Sequence, residues 1–155
     1  MSATFRSGWN SQPLAKKGAM NERNRLIIEE FRANGGIISM RPPYGPVLLL
    51  HNKGARTGIE RVTPLSYMRD GENYVIFASY GGFPRNPDWY HNLMGHLETT
   101  IEVGTEMFNV TAEEARGERR DALFARHVAG YPHFGEYQSK TERRIPVIVL
   151  KPRRA

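Results

Sequence analysis

The chain has 155 residues, no cysteine and a formal charge of +6 at neutral pH. This length predicts one domain with a single core, and the absence of cysteine excludes disulfides, thiolate metal sites and a cysteine nucleophile. No apolar run approaches the roughly 20 residues of a membrane-spanning helix, and the N-terminal residues lack the apolar stretch of a secretory signal. Together these features predict a cytoplasmic protein whose positive charge favours an anionic partner.

A polar, basic arm at residues 1–20 precedes the predicted single domain at residues 21–155. The domain begins at Asn21 with an amphipathic helix, which the paired glycines at positions 35 and 36 end. The apolar face of this helix consists of Leu26, Ile27 and Phe31. Two roles remain open for it: a lid on the sheet or, with the basic arm, an element that docks to a membrane surface. The short apolar face favours the lid.

The remaining predicted elements are strands and short helices. Asp70-Gly71 is a strong hairpin signal, because glycine accepts a positive φ without strain. Asn86 and Pro87 predict the cap and the first position of a helix that ends near Leu97, and Pro146 predicts that the last strand begins at a sheet edge. The predicted strands are 46–52, 59–69, 73–79, two arms of a hairpin that turns at Gly104, and 145–151; the later helical segments are 117–130 and, less regularly, 132–142. Mostly antiparallel strands with interspersed helices predict an α+β fold, a small β-barrel with helices packed outside.

The first candidate binding element is a cationic turn, Lys53 to Gly58. Its two glycines allow successive backbone N–H groups to converge on an anion. Arg56 can contact a phosphate with its guanidinium fork, Thr57 adds a hydroxyl donor, and Arg61 projects from the next strand. The turn is not a Walker loop, since the glycine spacing is short and no Lys-Ser/Thr pair follows. A phosphate site and a solvated hairpin are the alternatives, and the neighbouring motifs favour phosphate.

Three further segments are predicted to border a flat ligand site. Pro64 cannot donate to a strand ladder, which either leaves backbone facing a ligand or marks a sheet edge. Residues 78–82 end a strand in paired glycines, which lets a planar ring lie close to the backbone. One of Trp89 and Tyr90 is expected to pack in the core, whereas Asn92 is the better candidate to reach the site.

An aromatic cluster near the C-terminus is the last candidate element. It consists of Tyr131, His133, Phe134 and Tyr137. It forms either a substrate pocket with hydroxyl groups or an apolar patch beneath a loop.

Several other chemistries are not predicted. His91 and His96 do not share a helix face, and no HExxH, GxSxG or GxGxxG pattern occurs, which argues against a metal site, a hydrolase and a dinucleotide fold. The basic residues form no helical stripe and no recognised motif, which disfavours nucleic acid. Arg143 and Arg144 are interpreted only as members of a basic C-terminal segment.

Five motifs in close series carry a family resemblance: LLLxxxGxRTG, RVTPLSY, RDG, FASxGG and NPxWYxNL, between residues 48 and 93. IEVG at 101–104 and YQSKTERRIPVIVLKP at 137–152 extend the match. The chain resembles the deazaflavin-dependent nitroreductase family, a branch of the split β-barrel flavin and deazaflavin oxidoreductases. The resemblance implies an α+β split barrel, mostly antiparallel and similar to FMN-binding barrels. It also implies coenzyme F(420), an 8-hydroxy-5-deazaflavin with a phosphate and an oligoglutamate tail, with FMN as the less favoured cofactor.

The resemblance implies roles for residues that match the family motifs. Arg56, Thr57 and Arg61 would hold the phosphate and the acidic tail. The ring slot would be lined by Thr63, Pro64, Leu65, Ala78, Ser79, Tyr80, Trp89 and Asn92. The candidate catalytic residues, as proton donors or as donors to the anion that forms, are Ser79, Tyr131 and Tyr137. The substrate pocket would comprise Ser66, Tyr131, Phe134 and Tyr137.

The implied function is an F(420)H2-dependent reductase that transfers a hydride to a small quinone, enone or nitroaromatic. Phe134 and Ser66 replace two tyrosines of the best-known nitroimidazole-activating member, which disfavours nitroimidazoles and leaves quinones and enones. The alternative from another class is a non-catalytic split-barrel protein that carries a flavin, a haem or a lipid. The sequence leaves open the physiological acceptor, a homodimer and membrane attachment.

Overall fold

The computed structural model describes residues 14–39 and 45–153, with side chains from residue 22 onward. It contains four α-helices and seven strands in these ranges. In chain order they are α1 (Leu14–Ala33), β1 (Val47–Lys53), β2 (Glu60–Ser66), β3 (Met68–Asp70), β4 (Asn73–Phe77), α2 (Asp88–Gly95), β5 (Glu98–Val103), β6 (Glu106–Ala115), α3 (Gly117–Gly130), α4 (His133–Ser139) and β7 (Val147–Pro152), with a one-turn 3-10 helix at Tyr80–Gly82.

The strands form one antiparallel sheet in the order β2-β1-β5-β6-β7-β4-β3. The sheet curls until β2 approaches β4, which produces a split barrel with helices packed outside. The predicted fold class is therefore confirmed. The prediction that Pro146 starts an edge strand is wrong, because β7 lies between β6 and β4. Pro146 precedes the strand, and its carbonyl accepts the Ala78 N–H at 3.0 Å.

The core occupies both faces of the sheet, because its central strands are apolar at successive positions. One cluster fills the barrel interior with Leu48, Leu50, Ile76, Leu93, Ile148 and Leu150, among others. A second cluster lies between the outer face and α3, and it includes Val75, Phe77, Leu123, Phe124, Val147 and Val149. Successive residues of β4 and β7 belong in turn to the first and the second cluster, as the two-residue period of a β-strand requires. The continuous apolar run of β1 predicted this burial on both faces.

Helix α1 differs from its sequence prediction at its start and in its buried face. It begins at Leu14, seven residues before Asn21, so part of the predicted arm is helical. Residues 1–13 of that arm lie outside the described residues. Leu26 is 53% exposed, whereas Ile28 packs with Ile27, Phe31 and Leu49. The predicted end is confirmed, since Gly35 and Gly36 have positive φ.

The C-terminal end of α1 is tied to the sheet by a carboxylate on β5. Arg32 donates to both oxygens of Glu102, at 2.6 and 3.1 Å. His51 Nε2 lies 2.7 Å from the same carboxylate. Glu102 is almost fully buried, and its pKa is held below the ordinary value by the Arg32 hydrogen bond and then by His51. Gly36 packs directly on the β5–β6 turn at Gly104. This end of the helix is therefore fixed.

Two local predictions are corrected by one or two residues. The strand predicted at 59–69 is interrupted at Tyr67, so it becomes β2 and β3. Pro87, rather than Asn86, is the residue before α2, because the Asn86 side chain accepts from Arg143 instead. The hairpins at Gly71 and Gly104 are confirmed. Within residues 14–39 and 45–153, no helix is both long enough and apolar enough to cross a membrane.

Candidate active site

A cavity of about 1190 Å³ lies between α1, the β1–β2 hairpin, the start of α2 and the segment after β4. It brings together most of the predicted site residues. They are Arg56, Thr57, Arg61, Thr63, Pro64, Leu65, Ser66, Ser79, Tyr80, Trp89, Asn92, Phe134 and Tyr137. Ala78 and Tyr131 do not line it. Ala78 is fully buried in the barrel core, and Tyr131 packs instead on His127 and the backbone of Gly45.

The cationic turn between β1 and β2 forms one rim of the cavity. Arg56 and Arg61 are exposed and line the cavity. Unlike most arginines of the described segments, neither forms an ion pair with a described carboxylate. These two guanidinium groups therefore present positive charge that the protein itself does not compensate. An anionic ligand would find complementary charge at this rim.

The turn is shaped by internal hydrogen bonds that occupy several of its amides. Gly54 N–H donates to Ile59 O at 2.9 Å, and Gly58 N–H donates to Gly54 O at 2.8 Å. The Ile59 N–H donates to the Thr57 hydroxyl at 3.2 Å. The predicted convergence of N–H groups on an anion is thereby reduced, because those amides close the turn. Any anion at this turn would therefore be attracted mainly by the arginine side chains.

Asn92 supports this turn from α2. Its Oδ1 accepts the Ala55 N–H at 2.9 Å, and its Nδ2 donates to Asn52 Oδ1 at 2.9 Å. Asn52 in turn donates to the Thr63 hydroxyl at 3.2 Å. The buried amide pair therefore connects α2, β1 and β2 beneath the cavity. Asn92 lines the cavity as predicted, but its side-chain oxygen and nitrogen both form hydrogen bonds within the protein. Asn52 was not predicted, since an isolated asparagine in a strand carries no sequence signal.

The segment after β4 forms the opposite side of the cavity. Tyr80 is the non-glycine residue with positive φ (51°) in the described ranges, and Gly81 and Gly82 follow at 62° and 83°. A Cβ on Gly82 would lie 2.7 Å from the Tyr137 carbonyl oxygen, so only glycine allows this close packing on α4. The Ser79 side chain makes no hydrogen bond with the described residues and lines the cavity. Its hydroxyl is thus accessible to a ligand.

An aromatic wall completes the site, and the structure orders it in two layers. Phe77, Phe134 and Tyr137 line the cavity. His127 lies behind them, stacked on Phe77 with ring centroids 4.1 Å apart. Burial, with a smaller contribution from His133, lowers the pKa of His127 to about 4. The His127 ring is therefore neutral at physiological pH and acts as a packing residue. Sequence reasoning missed it, because no pattern separates this histidine from a surface one.

Sequence reasoning placed Ile27 on the apolar face of a lid helix, but it predicted neither that this helix lines the cavity nor what Arg143 contacts. Ile27, Ile28 and Ile38 add an apolar side to the cavity together with Val47 and Val62. They come from α1 and its C-terminal extension, which supports the lid interpretation of this helix. Arg143 was interpreted as surface charge, yet its guanidinium is bonded to the segment after β4. Among the described residues, no cluster of His, Cys, Asp or Glu could hold a metal ion.

The family model for F(420)H(2)-dependent quinone reductases matches residues 23–152. The chain belongs to this family. An F(420)H(2)-dependent quinone reductase of Mycobacterium tuberculosis H37Rv is 42% identical over 133 residues, which cover 83% of this chain and 89% of that protein. The predicted family, enzyme class and cofactor are confirmed: the protein is an F(420)-dependent oxidoreductase.

Solved structures agree with this family assignment. An F(420)H2-dependent reductase, FDR-A, superposes on this quinone reductase homologue with a TM-score of 0.63 and 34% identity, covering 68% of this chain and 94% of the other. A protein described as a domain-swapped dimer superposes with a TM-score of 0.65 and 30% identity, covering 87% and 98% of the two chains. The split barrel is thus shared by relatives of measurable sequence similarity.

Proposed function

We propose that this protein transfers a hydride from reduced coenzyme F(420) to a small quinone held in the same cavity. The observation that carries the proposal is a pair of arginines without a carboxylate partner among the described residues, Arg56 and Arg61, at the rim of a cavity that is also lined by apolar side chains of α1 and β2. A cofactor with an acidic tail and an uncharged acceptor require opposite kinds of surface. This cavity presents both.

The residues present fit the cofactor that the family uses. Pockets for small ligands measure roughly 300–1,000 Å³, and this cavity of about 1190 Å³ exceeds that range, as expected for a site that binds a large coenzyme and an acceptor. Arg56, Thr57 and Arg61 would hold the phosphate and the acidic tail. The ring would lie between β2 and the segment after β4, against Thr63, Pro64, Leu65, Ser79, Tyr80, Trp89 and Asn92.

The coenzyme, when bound in its reduced form, supplies the hydride. The protein orients the coenzyme ring and the acceptor, excludes water and donates hydrogen bonds. Ser79 is the best-placed donor, since its hydroxyl faces the cavity and has no acceptor among the described residues. It would donate to an acceptor oxygen as negative charge develops there. Tyr137 is the second candidate. Tyr131 does not line the cavity. Its proposed role is limited to packing on His127, which lies behind the aromatic residues of the cavity.

Quinones fit the acceptor side better than nitroimidazoles do. Phe134 lines the cavity without a hydroxyl, and Ser66 offers only a short one. Ile27, Ile28 and Val62 make the adjoining surface apolar, which suits an uncharged ring. Helix α1 covers this side, so it would limit the access of water to the reaction.

Assembly and membrane contact are separate parts of the proposal. One solved relative is described as a domain-swapped dimer, so a homodimer is the assembly to test, by light scattering of the purified protein. The apolar residues Ile27, Ile28 and Phe31 pack with Leu49, which favours a lid over membrane docking. Pelleting with anionic vesicles measures any membrane contact directly.

Anaerobic turnover tests the proposed function. The protein is mixed with reduced coenzyme F(420) and menadione, and oxidation of the coenzyme is followed by its absorbance. We expect saturable turnover, and calorimetry should show coenzyme binding that weakens as salt rises. Tight binding of FMN or haem, with neither heat nor turnover from coenzyme F(420), would instead support a carrier protein and overturn the proposal.

A further inference from the structure

A single loop, residues 78–86, surrounds the side chain of Arg143. Its guanidinium donates to the backbone oxygens of Ala78 at 3.1 Å, Ser79 at 2.9 Å and Phe83 at 2.9 Å. It also donates to Asn86 Oδ1 at 2.6 Å. A guanidinium has five donors in one plane, so it can satisfy several oxygens of one loop at once. A lysine ammonium cannot reproduce that arrangement.

The loop adopts a backbone shape that requires such support. Tyr80 has a left-handed conformation, which costs free energy for a residue with a Cβ. Gly81 and Gly82 continue the left-handed stretch. Only the contacts around the loop can stabilise this conformation, and α4 supplies one side through the close packing of Gly82. Arg143 adds its hydrogen bonds to the loop carbonyls.

The guanidinium also determines which face of the loop meets the cavity. A trans peptide places its N–H opposite its carbonyl. Because the carbonyls of Ala78 and Ser79 bond to Arg143, the N–H groups of the two following residues point away from it. Ser79, Tyr80 and Gly81 line the cavity, whereas Arg143 does not. Arg143 therefore lies behind the loop as a support for its reactive face.

We infer that Arg143 is a positioning residue for hydride transfer, which holds Ser79 and the loop backbone in the geometry that the cofactor ring and the acceptor require. The catalytic part of this inference rests on the proposed function, whereas the ordering of the loop does not. A misplacement of about 1 Å in such a site lowers turnover by roughly 100-fold. The loss should therefore fall on kcat more than on cofactor affinity, because Arg56 and Arg61 bind the tail independently.

The test compares four variants by kcat, KM and coenzyme dissociation constant. Arg143→Met removes all four hydrogen bonds, and Arg143→Lys keeps the charge and restores some of them. Asn86→Ala is milder, since it leaves the guanidinium and removes one acceptor. Arg144→Met is the matched control, because Arg144 is the exposed neighbour and pairs with Asp121 away from the loop. Amide hydrogen exchange of peptides covering 78–86 is measured without cofactor in every variant.

We expect Arg143→Met to lower kcat by roughly 30- to 100-fold, while the coenzyme dissociation constant changes by less than about threefold. Arg143→Lys should recover part of kcat, and Arg144→Met should match the wild type. Exchange in 78–86 should accelerate in Arg143→Met and in Asn86→Ala. A kcat within about threefold of wild type in Arg143→Met, or unchanged exchange in that loop, would overturn the inference. An inactive wild type would refute the proposed function instead, and the exchange data would still decide the role of Arg143 in the loop.

Discussion

Protonation of His127 should make the folded protein markedly less stable in mild acid. The residue is only 2% exposed and lies against Phe77 and Phe134. Its Nε2 has no hydrogen-bond partner among the described residues. Burial, and secondarily His133, lowers the pKa of His127 from 6.5 to about 4. Between pH 6.5 and about 4, His127 is therefore protonated in the unfolded chain but not in the folded protein. Folding stability is lost over this range as the pH falls.

The magnitude follows from the two pKa values. Each pKa unit corresponds to about 1.4 kcal/mol, so the full shift amounts to about 3 kcal/mol. Between about pH 7 and pH 5, proton linkage gives a loss of about 2 kcal/mol from this histidine. This loss is a large part of the roughly 5–15 kcal/mol by which domains are stable.

Urea unfolding of the wild type and of His127→Phe at about pH 7 and pH 5 measures the effect. Phenylalanine keeps the stacked ring and removes the proton site, so the variant should lose about 2 kcal/mol less over this interval. His127→Leu checks that repacking is not the cause. Burial also lowers the pKa of His133. Because His133 is present in all three proteins, its contribution to the pH dependence largely cancels in the comparison. His96→Gln removes an exposed ring as a control. Equal losses in wild type and His127→Phe would refute the reasoning.

Three other substitutions test the site and its loop. Arg56→Ala should raise the coenzyme dissociation constant by roughly tenfold, as expected for one charge-assisted hydrogen bond, and more so at low salt; calorimetry at two salt concentrations measures it. Ser79→Ala should lower kcat by roughly 100-fold while changing coenzyme affinity little, which steady-state kinetics and fluorescence titration separate. Gly82→Ala should destabilise the protein by at least about 2 kcal/mol, because a left-handed alanine costs about 1–2 kcal/mol and its Cβ would meet α4; urea unfolding measures the change.

The substitutions of Arg56 and Gly82 have matched controls. Arg116→Ala removes an exposed arginine that pairs with Glu114 and does not line the cavity, so a similar loss of affinity there would exclude a local contact at Arg56. Gly71→Ala imposes a left-handed alanine with open space around its Cβ. If Gly71→Ala and Gly82→Ala destabilise equally, the close packing on α4 adds nothing. Matching losses of binding and turnover in Ser79→Ala would assign that hydroxyl to binding.

Local signals predicted much of this fold. The hairpin turns at Gly71 and Gly104 and the helix over Gly117–Gly130 depend on residues close in sequence, and all three are confirmed. The place of β7 in the sheet depends on pairing between distant segments. A proline before a strand cannot reveal it, so the edge prediction from Pro146 failed. Leu26 was misplaced for a similar reason, since the face of α1 that is buried depends on its packing against β1 and β2, which are distant in sequence.

The candidate site shows the same contrast between residues that local sequence motifs predict and residues whose roles depend on distant packing. Arg56, Arg61 and Ser79 stand in the motifs on which the family resemblance was based, and the structure gathers them around one cavity. Arg143 lies within the segment 137–152 that extends the family match, but that segment gives no sign of its role, and His127 stands in none of these motifs. Both roles arise from packing against segments far away in the chain. A basic residue in a charged stretch and a histidine in a helix each look like surface residues until the packing is known. The localisation in the cytoplasm stays a prediction from composition.

Helix α1 is anchored to the sheet at its C-terminal end, where Arg32 and Gly36 meet the β5–β6 hairpin. In the proposed function the coenzyme would lie against the barrel, and the acceptor would lie partly against this helix. Under that arrangement, substitutions at Ile27 or Ile28 would change the acceptor preference without altering the residues proposed to bind the coenzyme. Such modularity would let one scaffold diversify into many reductases that share a single electron source.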